Sequence, residues 1–329
     1  MKVYNDRIED VGQVIVSFLN DYRNKRGFDA KVYIERKKKV INAYFKESGL
    51  THAVIAVSGG IDSAIVLGLL KEVSLMEDTY LKEIVAITLP AKSNTGVTGQ
   101  ITSEERAIEV CNSLGIDARS IDLSGHSMAI SGDIESSLSI KANDWAKGQL
   151  VPYLRTSMLY YFTSLLTQEN KKAILVGTTN ADEGQYLGYI GKASDGMVDI
   201  QPISDLHKSE VYLVAKALNI PESILNVKPT GDMYDNRTDE EVFGASYDFV
   251  EAYYAYLKSN DNEKESLMKL LDNYNERSLF ERLSGNLEKM HTYNKHKYLG
   301  CSPAVHLDIY DMKIKGGWKY FVWENDNEK

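Results

Sequence analysis

The chain has 329 residues, of which 43% are hydrophobic and 26% charged, a composition typical of a globular protein with a sizeable core. Its formal net charge of −9 and its lack of a long basic run make it a poor candidate for binding nucleic acid. No apolar stretch approaches a membrane-spanning length, and two cysteines cannot build a disulfide framework. We therefore expect a reduced, cytoplasmic protein that binds neither nucleic acid nor membranes.

Apolar residues at helical spacing predict two helices within residues 3–48, with a break near Gly27. Strands and helices then alternate. The predicted strands cover about 53–57, 84–89, 118–122 and 173–176, and the predicted helices between them cover 63–74, 103–114 and about 150–167. This alternation predicts an α/β fold, in which a doubly wound, mostly parallel sheet is covered by helices on both faces. Ligands of such folds bind beyond the carboxyl ends of the strands.

The rest of the chain is predicted to add helical extensions to this sheet. We expect a helix over 209–218, a loop over 226–240 and largely helical structure over 241–290. The expected organisation is an N-terminal helical extension (1–50), a main domain (51–300) and a C-terminal tail (301–329).

The segment Ser58–Ser63, with the sequence SGGIDS, joins the first predicted strand of the sheet to the next helix. Its glycine pair lets the backbone approach a phosphate closely, and the amides of the helix start favour an anion. Asp62 would repel a phosphate unless a Mg²⁺ lies between them. The segment lacks the lysine of the common P-loop and resembles the pyrophosphate loop of the N-type ATP pyrophosphatases. The alternative is a plain turn with a serine or aspartate cap.

The segment Gly177–Glu183 follows the fourth predicted strand, so Glu183 is expected near Asp62 at the same edge of the sheet. Two carboxylates from different strand ends can hold Mg²⁺ together with phosphate oxygens and water. The alternative is that Asn180, Asp182 and Glu183 merely cap a helix.

Further motifs extend the pattern in chain order. They are Gly188–Lys208, Lys228–Thr230 with Thr238–Glu240, Gly244–Asp248, and His296–Lys297 followed by Pro303. With SGGIDS and Gly177–Glu183, they are similar to the ammonia-dependent NAD synthetase family over roughly residues 35–310. SGGIDS alone would also fit GMP synthetase, asparagine synthetase or tRNA thiolases.

The chain departs from that family's pattern at several positions. Tyr153 stands where the family has an arginine, Gln149 replaces an asparagine, and one additional residue lies between Glu183 and Gly188. These changes cluster on the side of the pyridine substrate. They leave open another carboxylate acceptor, such as nicotinate mononucleotide, another adenylating ATP pyrophosphatase, or a nucleotide-binding protein derived from this fold.

The resemblance implies a ligase that amidates deamido-NAD with ammonia at the expense of ATP, through a dinucleotidyl adenylate, releasing AMP and pyrophosphate. It implies that Asp62 and Glu183 hold Mg²⁺ and that Asp62, Lys208 and Asp195 are catalytic, with Asp195 near the ammonium site. It assigns ATP binding to Ser58, Gly59, Gly60, Asp62, Ser63, Thr178 and Lys208, and deamido-NAD binding to Gln149, Tyr153, Arg155, Lys192, Asp199, His296 and Lys297.

The resemblance also implies a homodimer. The predicted 150–167 helix carries more apolar residues than one helix face needs to meet a sheet, which agrees with that implication. The alternative is that these additional apolar residues are buried within one subunit. Glutamine-fed members of the family carry an upstream domain with a catalytic cysteine. About fifty residues without cysteine precede the first predicted strand of the sheet, so we expect free ammonia or a separate partner to supply the nitrogen.

Overall fold

The computed structural model describes residues 11–91, 99–231, 237–297, 304–310 and 319–320. It opens with two helices, α1 (Gln13–Arg26) and α2 (Ala30–Ser48). Gly27 ends α1 in the left-handed conformation, and the Asp29 side chain caps α2 by accepting from the Val32 N–H. The predicted break near Gly27 is therefore confirmed.

A parallel sheet forms the centre of the fold. Its strands are β1 (His52–Ala56), β2 (Glu83–Thr88), β3 (Ala118–Ser120), β4 (Ala173–Val176), β5 (Ile200–Gln201), β6 (Val305–His306) and β7 (Lys319–Tyr320). Across the sheet they lie in the order β3-β2-β1-β4-β5-β6-β7, and each described pairing is parallel. The predicted doubly wound fold is confirmed. The order reverses between β1 and β4, so a crevice for ligands is expected beyond the carboxyl ends of those two strands.

Helices cover both faces of the sheet and extend beyond it. They are α3 (Ile61–Ser74), α4 (Gly99–Ser113), α5 (Ser124–Leu138), α6 (Asp144–Gln168), a π-helix (Asp182–Leu187), α7 (Lys208–Ala217), α8 (Glu222–Leu225), α9 (Asp239–Phe243), α10 (Tyr247–Lys258), α11 (Asp261–Asn273), α12 (Arg277–Asn294) and a 3₁₀ turn (Lys295–Lys297). The predicted helices at 63–74, 103–114, 150–167, 209–218 and through 241–290 are confirmed. The predicted loop over 226–240 is interrupted by α9, and its residues 232–236 lie outside the described part of the chain.

Alternating side chains of the strands enter two different cores. Ile55 and its neighbours on one face pack against α2, α3 and α7, whereas Val54 and Leu175 face α6 on the other. A third cluster joins α1 to α10, α11 and α12 away from the sheet. The N-terminal helices are thus divided between the sheet core and the helical cluster. None of the described helices is long and apolar enough to cross a membrane.

Gly59 is required where the loop after β1 meets α4. Its φ of +77° is left-handed, and a Cβ placed there would lie 2.2 Å from the Ser103 carbonyl oxygen. A side chain would therefore push the loop away from the helix. Gly115 is also left-handed, with a φ of +64°, but a Cβ there would meet no atom within 4 Å.

These two glycines form a matched pair for a stability test. We expect Gly115→Ala to lower the free energy of unfolding by about 1 kcal/mol, through backbone strain alone. Gly59→Ala should cost about 3 kcal/mol or more, because a clash with backbone adds to the same strain. Urea unfolding of both variants measures the difference. Equal losses would contradict the close approach of the loop to α4.

Candidate active site

The SGGIDS loop forms the start of α3 directly beyond β1. The Ser63 hydroxyl donates to the Gly60 carbonyl at 3.0 Å and accepts from the Ser58 N–H at 3.2 Å. The Ser58 hydroxyl accepts from the Gly60 N–H at 3.2 Å and lies 3.1 Å from that of Ser63. The two serines therefore fix the loop from within. Gly60 precedes the helix and has no side chain to cap it, which leaves the helix start suited to an anion.

The segment after β4 meets this loop through an amide and a carboxylate. The Asn180 Nδ2 donates to Asp62 Oδ1 at 2.9 Å, while its Oδ1 accepts from the Glu183 N–H at 3.1 Å. Asn180 thus caps the π-helix, as the alternative interpretation proposed, and at the same time holds Asp62. A capping role for this segment is therefore compatible with a metal-holding role for Asp62 and Glu183.

Lys208, the first residue of α7, joins the two carboxylates. Its Nζ lies 2.6 Å from Asp62 Oδ2 and 3.0 Å from Glu183 Oε1, and its side chain is only 1% exposed. Burial disfavours the ammonium, but the charges of Asp62 and Glu183 hold the pKa of Lys208 well above its ordinary value. Asp62, Glu183 and Lys208 therefore form one charged centre, at the point where the strand order reverses.

Tyr247 continues this centre to another buried carboxylate. Its hydroxyl lies 2.9 Å from Glu183 Oε1 and 2.8 Å from Asp239 Oδ2. The Lys208 Nζ lies 5.0 Å from the centre of the Tyr247 ring. Asp62 and Glu183 thus contact the Lys208 ammonium directly, and Tyr247 links the Asp239 carboxylate to Glu183.

The pKa values of two of these carboxyl groups, Glu183 and Asp239, are raised. Burial, together with the negative charges of Asp62 and Asp239, raises the pKa of Glu183 to about 8, against the opposing effect of Lys208. Burial also raises the pKa of Asp239. An added cation would relieve this concentration of negative charge.

The donor set fits a divalent cation that also binds phosphate. Asp62 and Glu183 offer hard oxygen donors and contact the same ammonium, and Mg²⁺ commonly takes one or two carboxylates with phosphates and waters. Over the described ranges, no three His, Cys, Asp or Glu side chains could hold a metal ion by themselves. The arrangement therefore suits a metal that arrives with a nucleotide better than a permanently caged one.

A second group of predicted residues gathers near Gly188. Lys297 donates to the Gly188 carbonyl at 2.8 Å. Burial lowers its pKa, while the charge of Asp195 raises it and that of Lys192 lowers it. The Asp195 carboxylate itself accepts from the Gly191 N–H at 3.3 Å. His296 is exposed beside Lys297.

The other residues predicted to bind substrates, on and around α6, have contacts of their own. The Arg155 Nε donates to the Leu89 carbonyl at 3.0 Å, beyond the carboxyl end of β2. Tyr153 is 43% exposed and therefore does not pack in the core. Asp199 accepts from the Leu175 N–H at 2.6 Å and bonds to the hydroxyl of Tyr160. Gln149 and Thr178 are half-buried. Their assignment to substrate sites stays a prediction.

Two parts of this centre are not predicted from the sequence. Arg106 of α4 donates from Nε to the Gly59 carbonyl at 3.3 Å, which brings a further cation to the loop. Tyr247 and Asp239 lie in motifs that helped to identify the family but received no role. No local spacing links them to Glu183, because the contact depends on how α9 and α10 pack against the sheet.

Residues 33–298 of the chain match the family model described as NAD synthase. The chain belongs to the NAD synthase family. The resemblance inferred from the motifs is therefore confirmed.

Two kinds of relative support this membership. The chain is 31% identical over 257 residues to the NH(3)-dependent NAD(+) synthetase of Methanococcoides burtonii, covering 77% of this chain and 89% of that protein. It is similar to the solved NMN synthetase from Francisella tularensis, with 25% identity and a TM-score of 0.60, over 76% of this chain and 96% of that one. The NH3-dependent NAD synthetase from Campylobacter jejuni, at 24% identity and a TM-score of 0.58 over 82% and 96%, shares the fold.

The raised pKa of Glu183 in this NAD synthase site can be tested through the pH dependence of stability in metal-free protein. The folded carboxyl keeps its proton up to about pH 8, against a reference value of 4.5, so its contribution to stability is present at low pH and is lost as pH rises between these values. We expect Glu183→Gln to remove this loss, so that the stability of the variant relative to wild type increases from pH 5 to about 8. Urea unfolding in a chelator measures this, with exposed Glu265→Gln as control. If the free energies of unfolding of wild type and Glu183→Gln changed with pH in parallel, the raised pKa of Glu183 would be contradicted.

Proposed function

We propose that this protein is an ammonia-dependent NAD synthetase, a ligase that uses ATP to convert deamido-NAD to NAD. The observation that carries the proposal is the buried centre of Lys208, Asp62 and Glu183 beside the glycine-rich loop, in a chain of the NAD synthase family. A phosphate loop, a cation and two carboxylates are what cleavage of ATP between its α- and β-phosphates requires.

In the first step, a carboxylate oxygen of the nicotinate attacks the α-phosphorus of ATP. The new O–P bond forms as the bond to the β-phosphate bridging oxygen breaks, and pyrophosphate leaves with that electron pair. We assign the first turn of α3, with Ser58 and Ser63, to the departing pyrophosphate, because a helix start favours an anion. The Lys208 ammonium is placed to stabilise charge at the α-phosphate.

Mg²⁺, when bound, would neutralise charge on the pyrophosphate, and we assign Asp62 and Glu183 as the residues that would hold it. Asn180 fixes one oxygen of Asp62. The bonds from Asn180 and Lys208 therefore orient Asp62 before any nucleotide arrives.

In the second step, ammonia attacks the activated acyl carbon. A C–N bond forms, the C–O bond to AMP breaks, AMP leaves with its electron pair, and the nitrogen gives up a proton. We assign Asp195 as the group near the ammonium, where its charge would attract the cation. The charges of Asp195 and Lys192 both act on Lys297, and the two lysines suit the phosphates of an acidic acceptor. We keep Gln149, Tyr153, Arg155, Asp199, His296 and Thr178 as further substrate-binding candidates.

A second acceptor deserves direct comparison because the chain is also similar to a solved NMN synthetase. The exposed Tyr153 lies where the family offers an arginine, so one charge-assisted contact to the acceptor is absent at that position. Assays with deamido-NAD and with nicotinate mononucleotide separate the two functions. We expect the dinucleotide to give the higher kcat/KM, and a reversal would assign the mononucleotide.

We further propose that the protein is a cytoplasmic homodimer. The segment from the start of α5 to the end of α6 leaves many large apolar side chains exposed, which favours burial against a second copy. These side chains are Met128, Ile130, Ile134, Leu138, Ile140, Trp145, Tyr153, Tyr161 and Leu165. The free, buried thiol of Cys111 is compatible with a reducing compartment.

Activity tests the proposed reaction directly. With ATP, Mg²⁺, ammonium and deamido-NAD, we expect NAD, AMP and pyrophosphate in equal amounts. Asp62→Asn and Glu183→Gln should each lower kcat on the order of a thousandfold, because a metal-holding carboxylate is lost. Exposed Glu281→Gln, on α12, is the control. Release of ADP and phosphate would refute the reaction, and near-normal kcat in either site variant would refute the metal assignment.

Light scattering at tens of micromolar tests the dimer. We expect twice the chain mass for wild type and a single chain mass for Ile134→Glu, since a charge in a buried apolar interface is costly. Leu75→Glu, at an exposed leucine on another surface, should leave the mass unchanged. A wild-type monomer with full activity would exclude the proposed assembly.

A further inference from the structure

A continuous row of hydrogen bonds links helix α1 to the backbone of Lys208. The Tyr22 hydroxyl lies 2.9 Å from His207 Nε2, and His207 Nδ1 lies 2.6 Å from Asp182 Oδ1. The other oxygen of Asp182 accepts from the Lys208 N–H at 2.7 Å. Each group is thus held by the next, from the surface helix to the first residue of α7.

The middle of this row is sealed from water. The side chains of His207 and Asp182 are both 0% exposed. The His207 ring also packs edge-on against the rings of Tyr22 and Tyr254. Because water cannot replace a lost partner there, removing one hydrogen bond leaves a buried polar atom unsatisfied, and this cost favours movement of the remaining groups.

Neighbouring contacts hold the same segment from the same side. Arg26 of α1 pairs with Glu210 and donates to the Asp205 carbonyl at 2.7 Å. From α2, Lys37 Nζ lies 2.8 Å from Asp205 Oδ2. The chain leading into Lys208 is therefore held between the N-terminal helices and the π-helix. These ion pairs would keep α1 in place if the Tyr22 bond alone were removed.

Helix α1 precedes residues 33–298, the segment that matches the NAD synthase family model. The family match by itself therefore gives α1 no role in the reaction. The contact between Tyr22 and His207 connects this helix to the charged centre by geometry alone.

We propose that Tyr22 and His207 are positioning residues for Lys208, so that α1 is part of the catalytic apparatus. This inference rests on the proposed function, in which the Lys208 ammonium stabilises charge at the α-phosphate of ATP. Tyr22 fixes the imidazole, the imidazole fixes the Asp182 carboxylate, and that carboxylate fixes the first turn of α7. A shift of that turn moves the ammonium relative to the reacting phosphorus, and displacements on the order of 1 Å can cost about a hundredfold in rate.

The test compares Tyr22→Phe with Tyr253→Phe. The first removes the bond to His207 and keeps the ring. The second removes a similar half-buried bond, from Tyr253 to Glu288 in the helical cluster. We expect Tyr22→Phe to lower kcat by about five- to fiftyfold with the KM for ATP within about twofold, because positioning matters most in the transition state. Tyr253→Phe should leave kcat unchanged while lowering the melting temperature by a similar amount.

A readout that needs no turnover separates this inference from the proposed function. In protein labelled with ¹⁵N-lysine, the Lys208 Nζ signal is assigned by its loss in Lys208→Arg. We expect Tyr22→Phe to shift that signal and Tyr253→Phe to leave it in place. His207→Gln, which breaks the row at its centre, should give a larger shift and a larger loss of kcat, and it replaces Tyr22→Phe if that variant does not fold.

The outcomes are distinct. An unchanged Lys208 signal, or unchanged kcat in an active enzyme, would overturn the positioning role. A wild-type protein that cleaves no ATP with either nicotinate acceptor would overturn the proposed function, and the Lys208 signal would then still decide whether Tyr22 positions the lysine.

Discussion

The buried ammonium of Lys208 is the interaction on which this site depends. Two carboxylates, Asp62 and Glu183, reach it from the carboxyl ends of two adjacent strands, and Tyr247 links a third carboxylate, Asp239, to the same centre. Buried charges are costly unless they are paired and hydrogen-bonded. Removing the lysine would leave the Asp62 and Glu183 carboxylates without the ammonium that they share, so both the geometry and the charge of the site depend on this residue.

The sheet makes that convergence possible. Asp62 follows β1 and Glu183 follows β4, and these strands are adjacent although more than one hundred residues separate them in the chain. The strand order reverses at this point, which opens a crevice between the loops that follow the two strands. The fold thus brings a phosphate loop and a pair of carboxylates together without any local sequence relationship between them.

Much of the sheet and of the phosphate loop can be predicted from sequence because their signals are local. The apolar run of β1, the glycine pair and the following helix are contiguous, and the proximity of Asp62 and Glu183 follows from parallel topology alone. Helix α5 was missed because its serines and glycines weaken helix propensity and its apolar residues Met128, Ile134 and Leu138 are exposed. Strand β5 has two residues, too few to show a period.

The contacts that complete the site depend on packing between distant elements. The partners Tyr22 and His207 are 185 positions apart, and Tyr247 and Glu183 are 64 apart. No spacing rule joins such pairs, and a tyrosine hydroxyl in a helix has no sequence pattern that distinguishes it from a packing residue. The candidate site residues that lie in motifs could therefore be predicted from the sequence, whereas the residues that orient them could not.

Transfer of oxygen between the substrates tests the central claim most directly, namely that this site joins the nicotinate carboxylate to the α-phosphorus of ATP. Deamido-NAD labelled with ¹⁸O in both carboxylate oxygens is converted with ATP and ammonium, and the products are analysed by mass spectrometry. We expect one labelled oxygen in the phosphate of AMP and one in the amide of NAD. Unlabelled AMP, or label in inorganic phosphate together with ADP, would contradict it.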